Sequence, residues 1–164
     1  MKAVSNTGPI LHLLEVDAVR ALRICAAIRI PPEVHKELAK RGLERQVQKI
    51  RDIRVVPLHA KSKDTAKLFC EHEYLDLGEA EAIALSIQEG INVFLTDDLE
   101  AREAAKRYGR EVHGTVGILL RAYRRKLMDK KTAIQKIRDI HEKSSLFITK
   151  DLIQYIITEV ERSP

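Results

Sequence analysis

The feature that most constrains this chain is a repeated alternation. Short apolar runs with strand character, each closed by a turn signal, are followed by segments with helical periodicity. Lys2 to Ser5 reads as a short buried strand broken at Asn6-Thr7-Gly8, with Pro9 in the first turn of a helix to about Val16. Asp17 is placed to cap a second helix, Ala18 to Ala27, which leads into a strand at Ile28 to Ile30. Pro31-Pro32 ends that strand and opens the helix Glu33 to Arg41, closed by Gly42. A basic helix, a strand near Ile53 to Leu58 and a helix from about Ser62 to His72 come next. Ile91 to Thr96 reads as a buried strand, Leu99 to Tyr108 as a helix ended by Gly109, and Glu111 to His113 as the last strand. Helices at Val116 to Arg125, Thr132 to Lys143 and Leu152 to Arg162 complete the chain. This order implies an α/β fold, a three-layer α/β/α sandwich around a mainly parallel sheet of about five strands with right-handed crossovers. With no low-complexity linker, residues 1–164 are expected to form a single domain on which residues 129–164 pack as a C-terminal helical extension.

Composition narrows the function classes. Aromatic residues make up only 4% and Trp is absent, which argues against a base-stacking or sugar-binding platform. The net charge of +5 favours a polyanionic partner only mildly, because Asp and Glu still number 24. Cys25 and Cys70 stand apart with no CxxC pairing, so a reducing cytoplasm is the expected setting. Cys70-Glu71-His72-Glu73 cannot converge on one zinc ion from a helix, and the histidines make no HExxH pattern. No apolar run approaches the roughly 20 residues of a membrane span, and no signal-peptide core follows Met1-Lys2, so a soluble chain with no membrane partner is expected.

Acidic residues fall where such a fold gathers its ligands, at the carboxyl ends of parallel strands. Leu77 to Leu85 reads as a helix opened by Gly78, with an inner stripe of Glu79, Ala80, Ile83, Ala84 and Ile87. Asp97 and Asp98 end the fourth strand and Asn6 ends the first. Glu37 shares a helical turn with Val34 and Leu38 and can face inward. Carboxylates so clustered repel one another unless a cation neutralises them, and with Mg²⁺ or Mn²⁺ the cluster becomes a device for activating water against a phosphodiester.

On these residues the chain resembles the PIN-domain family of small metal-dependent ribonucleases, which includes toxins of toxin-antitoxin pairs. The pieces that carry the resemblance are Val4-Ser5-Asn6-Thr7-Gly8-Pro9-Ile10, Ile30-Pro31-Pro32-Glu33-Val34-His35-Lys36-Glu37-Leu38, Leu77-Gly78-Glu79-Ala80-Glu81-Ala82-Ile83-Ala84-Leu85, Leu95-Thr96-Asp97-Asp98 with Arg102, and Gly114-Thr115-Val116-Gly117-Ile118-Leu119. They span roughly Val4 to Met128 and look most like the PilT-N-terminus-like branch, whose members are often described only as nucleic-acid-binding. The resemblance implies an α/β/α fold, a Mg²⁺ or Mn²⁺ site and hydrolysis of RNA. Carried over by position, the metal-holding set is Asn6, Glu37, Glu79 and Asp97 or Asp98, with Glu37, Glu79, Asp97 and Asp98 as catalytic candidates. The family usually has Asp at the position of Asn6. An Asn oxygen still ligates a hard cation, but the site loses one negative charge.

Alternatives stand beside each assignment. Asn6-Thr7-Gly8-Pro9 also reads as a turn with a helix cap, and Glu37 as a surface residue of a Lys-rich helix. Glu79 also reads as a complement to a positive helix N-terminus, and Glu81, a turn of about 200° away, does so from the solvent side. Between Asp97 and Asp98 one caps the helix from Leu99 and the other ligates. Thr7, Thr96 and Arg102 are candidate nucleic-acid contacts, with capping or solvated roles as the alternative for Thr7 and Arg102. Between Arg121 and Arg138, eight basic residues face only Asp129, so Arg121, Arg124, Arg125 and Lys126 form a candidate RNA-backbone surface or a solvated face. Arg41, Arg45, Lys49 and Arg51 form a weaker one. The expected function is a Mg²⁺/Mn²⁺-dependent ribonuclease, with a toxin silenced by a small antitoxin or a catalytically weakened RNA binder as alternatives. Leu146 to Ile157 offers a homodimer surface or covers the sheet.

Overall fold

In the computed structural model, which describes residues 1–163, five strands form one parallel sheet in the order β3-β2-β1-β4-β5. The strands are β1 (Lys2–Ser5), β2 (Ala27–Ile30), β3 (Ile53–Val55), β4 (Val93–Leu95) and β5 (Glu111–His113). Every pairing is parallel, with Val4 opposite Arg29 on one side and Phe94 on the other. The chain lays β1, β2 and β3 outward in one direction and then returns to place β4 on the far side of β1. That reversal opens a crevice between the carboxyl ends of β1 and β4, where open α/β sheets bind their ligands. Its floor is pinned by the amide of Asn6 donating to the Leu95 carbonyl at 2.9 Å, and that of Thr96 to the His113 carbonyl at 3.0 Å.

Helices cover both faces of the sheet. On one, α1 (Thr7–Glu15) packs against a 3-10 segment, Val19–Ile24, and both meet α7 (Thr115–Arg124). On the other, α4 (Ala60–His72) lies along α5 (Leu77–Gln88), and α5 contacts β1, β4 and α6 (Leu99–Arg107). α2 (Pro32–Lys40) touches α1 and α5 and so bridges the layers, while the short α3 (Glu44–Gln48) follows it. α8 (Lys130–Lys143) packs on α7 and α1, and α9 (Lys150–Arg162) packs on α8. The strands bury residues from both sides, as a doubly covered sheet requires: Ala3, Val4, Ile28, Ile30, Phe94 and Leu95 are all inaccessible to solvent.

Three local expectations are corrected. Asp17 does not cap an α-helix: it sits in the left-handed region at φ 51°, where Ala18 donates back to Leu13 and ends α1, and only the short 3-10 segment follows. The strand expected over Ile53 to Leu58 stops at Val55, two residues before Pro57, whose ring removes a ladder donor. The helix expected to open on Gly78 begins at Leu77 under an Asp76 cap, and Ile87 of its supposed inner stripe is 39% exposed. Among the described residues no helix is long and apolar enough to cross a membrane, and Cys25 and Cys70 are free.

Phe94, wholly buried at the centre of the sheet, sets the stability test for this core. Phe94→Ala should cost about 3–5 kcal/mol in urea unfolding, whereas Leu68→Ala, at a half-exposed position on α4, should cost about 1 kcal/mol or less.

Candidate active site: an acidic cleft at the strand switch

Above the β1–β4 crevice lies a cleft of about 420 Å³ whose wall includes Asn6, Thr7, Glu37, Glu79, Asp97 and Asp98. The structure therefore brings together every acidic or amide residue singled out in the sequence, from four separate segments of the chain. Asn6 ends β1 and is nearly buried. Its Oδ1 accepts the Thr7 amide at 2.8 Å, opening α1, and its Nδ2 reaches Thr96 Oγ1 at 3.5 Å across the crevice. Thr96 is fully buried, and its hydroxyl accepts the Asp98 amide at 3.2 Å, so it orders the β4 turn from below the cleft.

The two aspartates divide their roles. Asp98 is exposed and caps α6, accepting the Ala101 amide at 2.8 Å. Asp97 turns inward. Its Oδ1 accepts the Thr115 amide at 2.7 Å, while Oδ2 accepts the Thr115 hydroxyl at 2.5 Å and the His12 Nδ1 proton at 2.7 Å. One carboxylate thus ties β4 to α1 and α7. Gly114 makes this approach possible, because a Cβ there would lie 2.8 Å from Asp97 Oδ1 and 3.0 Å from an Arg102 guanidinium nitrogen. Arg102 itself donates to the Thr96 carbonyl at 3.3 Å.

The glutamates reach the cleft from α2 and α5. Thr7 Oγ1 donates to Glu37 Oε2, and the other Glu37 oxygen lies against Gly78, where any Cβ would collide with it. Glu79 sits at the third position of α5 in a reciprocal cap: its amide donates to Asp76 Oδ1 at 2.8 Å and its carboxylate accepts the Asp76 amide at 3.1 Å. Burial pushes the Glu79 carboxyl up to about 7, and the nearby charges of Asp76, Asp98 and Glu100 push in the same direction. Glu37 is raised as well, first by burial and then by Asp76 and Glu33.

His12 and Thr115 are site residues that the motifs alone did not single out. The signal for His12 is a lone polar residue in the apolar run Ile10-Leu11-His12-Leu13-Leu14, one helical turn beyond Gly8. Arg41, from the weaker basic patch, also lines the cleft. The stronger basic run does not border it. Arg121 pairs with Glu111 at 2.8 Å, Arg125 donates to the Ile24 carbonyl at 2.7 Å, and Arg124 and Lys126 are exposed elsewhere on the surface.

Most donors around the cleft are carboxylate and amide oxygens, with His12 engaged by Asp97, and that chemistry suits a hard divalent cation. Glu37 and Glu79, both raised by burial, are the pair most in need of positive charge. Among the described residues, however, no three His, Cys, Asp or Glu side chains are gathered closely enough to hold a metal ion between them. The set therefore fits such an ion in kind, without being drawn into a closed cage.

The Glu79 shift gives a stability test whose sign is fixed. Because its folded value of about 7 lies above the ordinary 4.5, the folded chain holds a proton that the unfolded chain has already released. Raising pH through that window therefore removes stability. In metal-free buffer Glu79→Gln, which keeps the cap acceptor, should melt higher than wild type at about pH 8 and close to it at about pH 4.

No curated protein matches the chain. Residues 2–162 match the model of a domain family of unknown function described as a PIN domain. With its parallel sheet, its flanking helix layers and an acidic cleft at the strand switch, the chain belongs to the PIN-domain family, which carries a nuclease-type fold.

Proposed function

We propose that this protein is a divalent-metal-dependent ribonuclease that hydrolyses RNA phosphodiesters in the β1–β4 cleft. The observation that carries this reading is the convergence of Asn6, Glu37, Glu79 and Asp97 on one cleft from four different elements. Mg²⁺ or Mn²⁺, bound by ligands drawn from Asn6, Glu37, Glu79 and Asp97, would supply positive charge for the phosphate and a more acidic water. The chain's own groups do the rest. Glu79, raised to about 7 by burial in the cation-free cleft, is suited to give up its proton when positive charge arrives beside it. Thr7 holds Glu37, and His12 with Thr115 holds Asp97, so neither carboxylate has to be ordered when substrate arrives. Arg41 offers the cleft's wall positive charge for a flanking phosphate, and Arg102 stands in the neighbouring hollow. RNA as the polymer, a cytoplasmic setting, a toxin's role with a small antitoxin over the cleft, and a homodimer rest on the family resemblance and on the composition of the chain.

A second reading is favoured by two observations: position 6 is amide where the family usually carries acid, and Asp97 already has donors on both oxygens. On that reading the cleft binds nucleic acid and turns it over weakly or not at all. Cleavage of an end-labelled single-stranded RNA pool with Mn²⁺ separates the two. Wild type should cleave, and Asp97→Asn or Glu79→Gln should lose about a hundredfold in rate. Cleavage that emerges only in Asn6→Asp would support the weakened binder, and no metal-dependent cleavage by either chain would overturn the nuclease assignment. Asn6→Asp has a second readout: the new buried charge should lower the melting temperature without metal, and Mn²⁺ should restore it.

A further inference from the structure

The segment between α8 and α9 forms a ridge along the acidic cleft, and its residues alternate. Leu146 and Ile148 pack against the core, whereas Phe147 between them is 91% exposed. The ridge is held at both ends. The Ser145 amide and hydroxyl each donate to the Glu15 carboxylate at 2.8 Å, the Ile148 carbonyl accepts His141 Nδ1 at 2.8 Å, and Thr149 caps α9. Phe147 is therefore presented to solvent by an anchored backbone.

Beyond the ridge lies a second hollow of about 480 Å³, a size that suits a small ligand. Asp97, Leu146 and Phe147 line both this hollow and the acidic cleft, so the two adjoin across the ridge. The walls of the second hollow are mostly apolar, with Val112, Val116, Ile148 and Leu152, and one cation, Arg102, stands among them. An exposed aromatic ring, an apolar hollow and a planar guanidinium beside an acidic cleft are together the chemistry that receives a nucleobase.

We infer that this hollow is a base subsite: one nucleotide of a single-stranded RNA places its base against Phe147 and the apolar wall while its phosphate faces the acidic cleft. The inference rests on reading that cleft as a nucleic-acid site. Because the ridge is already ordered, stacking there costs little conformational freedom. The low aromatic content of the chain excludes a broad stacking platform, and a single ring at the edge of the cleft is a different device.

The test is fluorescence anisotropy at low salt, with Ca²⁺ in place of Mg²⁺ or Mn²⁺, using end-labelled oligoadenylate and a matched oligomer of abasic ribose phosphates. Phe147→Ala and Phe147→Leu should each weaken oligoadenylate binding about tenfold, Phe147→Trp should retain it, and none should alter binding of the abasic oligomer. Since Phe147 is almost wholly exposed, these changes leave the fold intact, which circular dichroism checks. Equal oligoadenylate binding by wild type and Phe147→Ala overturns this inference and leaves the nuclease reading standing. If Phe147→Ala binds as wild type yet sediments as a smaller species, the ring belongs to a contact between copies and the inference is overturned. A wild type that binds neither oligomer overturns both readings together.

Discussion

Carboxylates gathered at one crevice repel each other and lose solvation, and the way each is neutralised organises the top of this molecule. The crevice exists because the chain reverses direction across β1, which leaves the ends of β1 and β4 uncovered by a crossover. Asp97 is compensated from within the fold, by the Thr115 amide and hydroxyl and by His12. Those contacts join β4 to the two helices on one face, so the same bonds that quiet the charge also hold the layers in register. Asp98 is compensated by the N-terminus of α6. Glu37 is compensated by the Thr7 hydroxyl and the Arg41 charge and Glu79 by the Asp76 amide, yet burial holds both toward the protonated form.

This asymmetry gives the substitution at position 6 a physical meaning. An aspartate there would stand nearly buried beside Thr96, in a crevice already carrying Asp97, and would need a cation to be tolerated. The amide removes that demand: it donates toward Thr96, accepts from Thr7 and leaves the cation-free protein with less repulsion to bear. The charge deficit on the glutamate side remains, and it is there that a divalent ion would be most favourable.

Much of this was legible in the sequence, for identifiable reasons. The parallel sheet followed from strand and helix order, and β5 falls on the expected Glu111 to His113. Asn6 was found because it ends a strand at a turn signal, Glu37 because it shares a helical turn with Val34 and Leu38, and Glu79 because it begins the inner stripe of its helix. The choice between Asp97 and Asp98 was not legible, since both follow the same strand and only the tertiary approach of Thr115 and His12 separates them. The purpose of Gly78 was also hidden. Read as a helix opener, it is instead the position where Glu37 from another helix needs the space of a missing side chain. Charge counts also ignore partners: in the basic run from Arg121 to Arg138, which does not border the cleft, Arg121, Arg125 and Lys136 are bound to groups of their own fold.

The central claim is that the cleft takes up a divalent cation through carboxylates that are partly protonated when it is absent. Calorimetric titration of Mn²⁺ into the metal-free protein near neutral pH, in two buffers of different ionisation enthalpy, addresses it directly. Binding should release protons, because a cation beside Glu79 drives its carboxyl down from about 7, and the release should fall markedly in Glu79→Gln, leaving the smaller share of Glu37. Saturable binding with no proton release, or no binding heat at all, would contradict the account.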